Sequence, residues 1–169
     1  MKRIGRRGFV AGATAGVVVV AGAGLVLVCG GGYEIEPEVA YRLELLVPWE
    51  YVVIDAVGAR LLAPEQAAVA DFADQYLQGL PSADLRDVRM LLHFVEQGAP
   101  LLVGHTARFT HLGVSAQDAV LRAVERSPVG RLRQGFAVLK AVAEMAYYSQ
   151  DSAWSAIGYP GPIVTWGRR

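Results

Sequence analysis

Between Gly8 and Tyr33 the chain carries no charge, and the charged residues before that run, Lys2, Arg3, Arg6 and Arg7, are all basic. A stretch of this kind cannot form the surface of a globular body, so it cuts the chain in two. Residues 1–32 read as a signal or membrane anchor ending in the glycine hinge Gly30–Gly32, and residues 33–169 read as one domain. Those four cations precede every acidic residue. Of the 16 basic and 16 acidic residues in the chain, 12 and 16 therefore fall in the body, which is mildly acidic. A body of that sign gives no electrostatic reason to expect a nucleic-acid partner.

The order Arg6-Arg7-Gly8-Phe9 ahead of a Gly/Ala-rich apolar run resembles the twin-arginine export signal, on Arg6, Arg7 and Phe9; Ala11 departs from its usual lysine. The resemblance implies passage through the twin-arginine translocase and residence at the periplasmic face of the inner membrane. Phe9 to Val28 as a helix would span about 30 Å, enough for a bilayer. Three fates fit the segment. It is retained as an anchor helix, cleaved after the A-x-A site Ala21–Ala23, or lipidated at Cys29, the single cysteine of the chain.

The body predicts an all-α fold, a small bundle of about five helices behind that N-terminal apolar helix. Pro37 and Pro48 bracket one or two helical turns. Trp49 to Leu62 carries apolar residues at helical spacing, although its valines leave a strand open. Pro64 is expected to open a helix to Gln78. Ser82 is expected to cap a helix to Gln97, with Gly98 as its stop. Ser115 with Asp118 suggests a capped helix to Arg126. Pro128 is expected to open the longest helix, to Tyr148. No βαβ alternation is present, which argues against a dinucleotide-binding sheet.

Chemistry-bearing residues are sparse. His93, His105 and His111 lack a second ligand at i+3 or i+4, so a metal site is not expected. Asp71 with Asp74, and Asp84 with Asp87, could pair on one helix face, but a solvated face accounts for both pairs. No catalytic residue and no cofactor site is assigned to this chain. The concentration of aromatics in Tyr147, Tyr148, Trp154 and Tyr159, beside Ile157, Gly158 and Pro160, is unusual so near a chain end. Two readings stay open for it: the segment folds back on its own bundle, or it presents an interface.

Two pieces carry a family resemblance: Phe109-Thr110-x-Leu112 before a short helix, and a long helix running into Tyr147-Tyr148, Trp154 and Ile157-Gly158-Tyr159-Pro160. Together with the export signal they resemble the gluconate 2-dehydrogenase subunit 3 family, over about Leu61 to Pro162. The resemblance implies a small non-catalytic subunit that helps fold and co-export a large flavin-dependent sugar or alcohol dehydrogenase. FAD would sit on that partner, and a cytochrome c subunit often takes the electrons. Tyr147, Tyr148, Trp154, Ile157, Gly158, Tyr159 and Pro160 would then contact the partner. The alternative reading is a membrane-anchored helical envelope protein with a structural role and no dehydrogenase partner.

Overall fold

The computed structural model describes residues 16–19, 26–29, 32–63 and 67–160. The chain divides into two units, Met1–Glu34 and Ile35–Arg169. In the first, β1 (Gly16–Val19) pairs antiparallel with β2 (Val26–Cys29), with Val17 opposite Val28 and Val18 opposite Leu27. Where it is described, the stretch Phe9–Val28 is extended and not the expected apolar helix; residues 9–15 and 20–25 lie outside the described residues. Consecutive valines favour an extended backbone, and glycines weaken a helix. Among the described residues no helix is long and apolar enough to cross a membrane. The export residues Arg6, Arg7 and Phe9 lie outside the described residues.

The described part of the second unit is helical throughout: α1 (Pro37–Arg42), α2 (Pro48–Leu61), α3 (Val69–Tyr76), α4 (Ser82–His93), α5 (Val114–Glu125), α6 (Gly130–Tyr148) and α7 (Asp151–Ala156). Helix α2 is central and contacts α3, α4, α5 and α6. The strand left open for residues 49–62 is not adopted. Val53, Ile54 and Val57 instead turn one helical face into the core, opposite Val69, Ala73, Leu92 and Leu139. Gly58 permits the α2–α3 crossing, because a Cβ there would stand 2.7 Å from Cβ of Val69. Gly58→Ala is therefore expected to destabilise the fold. Overpacking costs about 1–3 kcal/mol, against about 1 kcal/mol gained in helix propensity. The check is a lower urea midpoint at unchanged slope.

Several helix ends differ from those expected, each for a local reason. Ser82 is the first residue of α4 and caps nothing with its side chain. Pro81, already extended at φ −56° and ψ 148°, holds the cap position, and its carbonyl accepts the Leu85 N–H. Helix α5 starts at Val114 after Gly113, without a side-chain cap. Asp118 is drawn away to Arg60 on α2, Oδ1 to Nε 2.8 Å, where a half-buried charge pair outcompetes a local cap. Helix α6 begins at Gly130, two residues after Pro128. The intervening turn is closed by Ser127 Oγ accepting the Val129 N–H and by Arg133 donating to the Ser127 carbonyl. Residues 64–66 lie outside the described residues, and α3 starts at Val69.

The helix expected to reach Gln97 changes character at His93. A π-helical turn, Phe94–Gly98, follows, then a 3-10 stretch, Ala99–Val103. Pro100 has no N–H for the Glu96 carbonyl and its ring crowds that oxygen, so a regular α-turn cannot continue there. Gly104, at φ +80°, ends the stretch, and the His105 N–H returns to the Pro100 carbonyl at 3.0 Å.

Candidate functional site

Among the described residues three carboxylates lie in the interior: Glu50, Asp74 and Glu96, at 2%, 5% and 1% exposure. Buried charges are the first place to look for chemistry, so their partners matter. Asp74 accepts the backbone N–H groups of Glu44, Leu45 and Leu46 at 2.9, 3.0 and 2.7 Å. Glu50 accepts the next one, Val47, at 3.0 Å. Arg89 stands 2.9 Å from Glu50 through Nε, without hydrogen-bond alignment, and donates from Nη2 to the Leu45 carbonyl at 3.4 Å. Four consecutive amides between α1 and α2 are thus held by two interior acids.

Burial pushes the Asp74 carboxyl up, but its three amide bonds outweigh that and hold it below the ordinary carboxylate range. A carboxyl depressed in the folded state stabilises above its unfolded pKa, and the benefit disappears as pH falls through the folded value. The melting temperature is therefore expected to drop as pH falls below about 4. Asp74→Asn should make that drop shallower by removing its contribution, measured by thermal circular dichroism.

Asp71, the sequence neighbour weighed as a pair for Asp74, points elsewhere. It accepts from the Tyr51 hydroxyl at 3.3 Å and faces Arg42 at 3.7 Å. The pair is not assembled. Asp84 and Asp87 are both exposed. His93 stacks on Trp49 with ring centroids 4.2 Å apart. Burial lowers its pKa, with Glu50 pulling the other way. His105 and His111 are exposed, and His111 Nε2 lies 2.6 Å from Arg108 Nη2. Among the described residues no group of three or more His, Cys, Asp or Glu is placed to hold a metal.

The Phe109-Thr110-x-Leu112 turn is a structural fastener. Phe109 is 0% exposed, and its carbonyl accepts from the buried Gln117 side chain at 3.1 Å. Thr110 donates to Glu96 twice, from its backbone N–H at 3.1 Å and its hydroxyl at 2.6 Å. Arg108 Nε adds an ion pair to Glu96 at 3.8 Å.

The C-terminal aromatics do two different things. Two residues past the end of α7, Gly158 reverses the chain at φ +69°, a conformation that glycine adopts without strain. The Tyr159 N–H returns to the Trp154 carbonyl at 2.9 Å, and the two rings meet edge to face with centroids 5.5 Å apart. That is the backbone reversal and apolar contact of a Schellman cap. Trp154 also donates from Nε1 to the Tyr148 carbonyl at 2.9 Å, satisfying one of the orphan acceptors at the end of α6. Trp154 and Gly158 therefore serve the chain itself. Tyr148, Ile157 and Tyr159 stay 48%, 58% and 44% exposed, and Pro160 is exposed as well.

Tyr147, Tyr148 and Ile157 border a surface cleft of ≈ 520 Å³. Its remaining walls come from the end of α2 (Leu61–Ala63), Glu125 at the end of α5, and Phe136, Lys140, Ala143 and Glu144 on α6. The sequence reading did not identify these latter residues. The signal was present: stepping back from Tyr147 by helical intervals reaches Ala143, Lys140 and Phe136 on one face of α6. A second void, ≈ 20 Å³, lies among α2, α3, α4 and α6. It is lined by Val57, Ala73, Leu92 and other apolar side chains and offers a ligand no polar handle.

No protein-family model matches the chain, and the comparisons with curated proteins and with solved structures give no match.

Proposed function

We propose that the chain is a non-catalytic subunit that binds, helps fold and co-exports a flavin-dependent sugar or alcohol dehydrogenase through the twin-arginine route. The observation that supports this most is the cleft bordered by Tyr147, Tyr148 and Ile157, next to an exposed Tyr159. Tyrosine combines a large apolar ring with a polar tip, and interfaces are enriched in it. The buried acids, by contrast, are engaged with backbone amides, Thr110 and arginines, which suits a scaffold. FAD belongs on the partner, and electron transfer proceeds there.

The full chain, purified from envelopes, is expected to bring down a yellow protein several times its own mass. Tyr148→Ala with Ile157→Ala should reduce that recovery by about fivefold or more, the scale of truncating an interface residue worth about 1 kcal/mol. Both side chains are exposed, so folding should hold. Changing Arg6 and Arg7 to Lys should reduce dehydrogenase activity in the envelope while leaving it in the cytoplasm. Envelope localisation without any flavin-bearing companion would favour the structural envelope protein instead.

A further inference from the structure

The connection between α5 and α6 carries charge opposite to the net sign of the body. From Ala119 to Ala143 the chain has Arg122, Arg126, Arg131, Arg133 and Lys140 against a single acid, Glu125. Lys140 pairs with Glu144, and Glu125 lines the cleft described above. The four arginines lie within one helical turn of the connection. Arg122 is in the last turn of α5, Arg126 just past its end, and Arg131 and Arg133 in the first turn of α6. All four are exposed, and among the described residues none enters an ion pair. Cations are unfavourable at a helix start, and the first turn of α6 has no acid to offset them. Between the arginines, Pro128, Val129 and Gly130 are exposed in succession, Val129 to 53%. The turn is fixed in that form by the Ser127 hydroxyl and by Arg133.

We infer that this end of the bundle rests on an anionic phospholipid surface, with the four guanidinium groups at the level of the phosphates and Val129 beneath them. An exposed apolar tip flanked by cations matches a surface that is anionic outside and apolar within. An acidic protein face would satisfy the arginines but set Val129 against charge. Guanidinium forks bind phosphate oxygens in pairs, and the arginine stems cover apolar surface beside the tip. Each cation near such a surface strengthens binding by about fivefold. Four arginines and one valine therefore make a reversible contact that orients the domain rather than anchoring it. Arg131 and Tyr148 stand about 25 Å apart along α6, so the lipid contact leaves the tyrosine end of the cleft accessible. A contact of this kind requires no dehydrogenase.

The test uses the full chain with Cys29→Ser and Val129→Cys, carrying a polarity-sensitive dye on the new thiol. Vesicles are phosphatidylcholine, with or without about one-third phosphatidylglycerol. Dye emission should move to the blue on the anionic vesicles and stay unchanged on phosphatidylcholine alone. Salt at about 0.5 M, where charges are screened within about 4 Å, should reverse the shift. The same dye on Tyr148→Cys should not respond. Adding Arg122→Gln, Arg126→Gln and Arg131→Gln should raise the anionic lipid needed by about tenfold or more, and lysine at the same three positions should restore most of the binding. Arg133 stays in place because it closes the turn, and circular dichroism checks that each variant is folded. Silence on anionic vesicles, an equal shift on both vesicle types, an equal shift at Tyr148, or an equal response from the glutamine variant would overturn the inference. A shift on polyglutamate without one on vesicles would overturn it too, and would make an acidic protein the partner.

Discussion

Glu96→Ala is expected to lower the unfolding free energy by about 3–5 kcal/mol, the range for removing one partner of a buried charge pair. Glu96 receives the Thr110 N–H and hydroxyl and faces Arg108. Its loss removes an acceptor from two donors and an anion from a guanidinium that is only 13% exposed. Against a usual total of about 5–15 kcal/mol such a loss is a large fraction of the stability. Glu96→Gln keeps an oxygen for Thr110 and gives up only the charge, so it should cost less, about 1–2 kcal/mol. Urea titrations of the three proteins check both values. Equal midpoints for wild type and Glu96→Ala would show that the π-helical turn does not depend on this carboxylate.

Phe109→Ala is expected to cost a similar amount, about 3–5 kcal/mol, by a different route. Phe109 heads the largest fully buried side chains, and the short 3-10 turn that carries it, Phe109–His111, packs against α2, the π-helical turn and α5. Alanine leaves a cavity that helices held by other contacts can only partly close. The double variant with Glu96→Ala should lose less than the two single losses combined, because each already releases the same segment. Two-state urea curves for all four proteins provide the measurement.

Most helices of the body were legible because apolar residues recur at 3.6-residue spacing, and in α2 the bend of that pattern around one face outweighed the valines. Caps were less legible. Asp118 looks like a local cap, and only the fold shows that Arg60, 58 positions earlier, takes it. Asp74 is likewise engaged by amides 28 to 30 positions away, which no local window contains. The helical run does reach Gly98, as expected, but its last turn is π-helical, because Pro100 two residues on cannot continue a regular α-turn. Among the C-terminal aromatic and apolar residues, Trp154 packs back on its own chain, whereas Tyr148 and Ile157 are exposed. The cleft walls on α2 and α5 were not legible, since only the tertiary arrangement brings Leu61 and Glu125 beside Tyr147.

The clamp on residues 44–47 has a mechanical consequence. Helix α1 buries none of its residues, so it offers little resistance to a pull applied from the N-terminal side. Tension on that side would first straighten residues 35–43, a length of about 30 Å when extended. The load would then fall on the amides gripped by Asp74 and Glu50, whose anchor points on α3 and α2 belong to the core. A drawn chain should therefore yield in two stages, a soft extension followed by a stiff one, with the second threshold falling in acid as Asp74 takes up a proton and releases its amides.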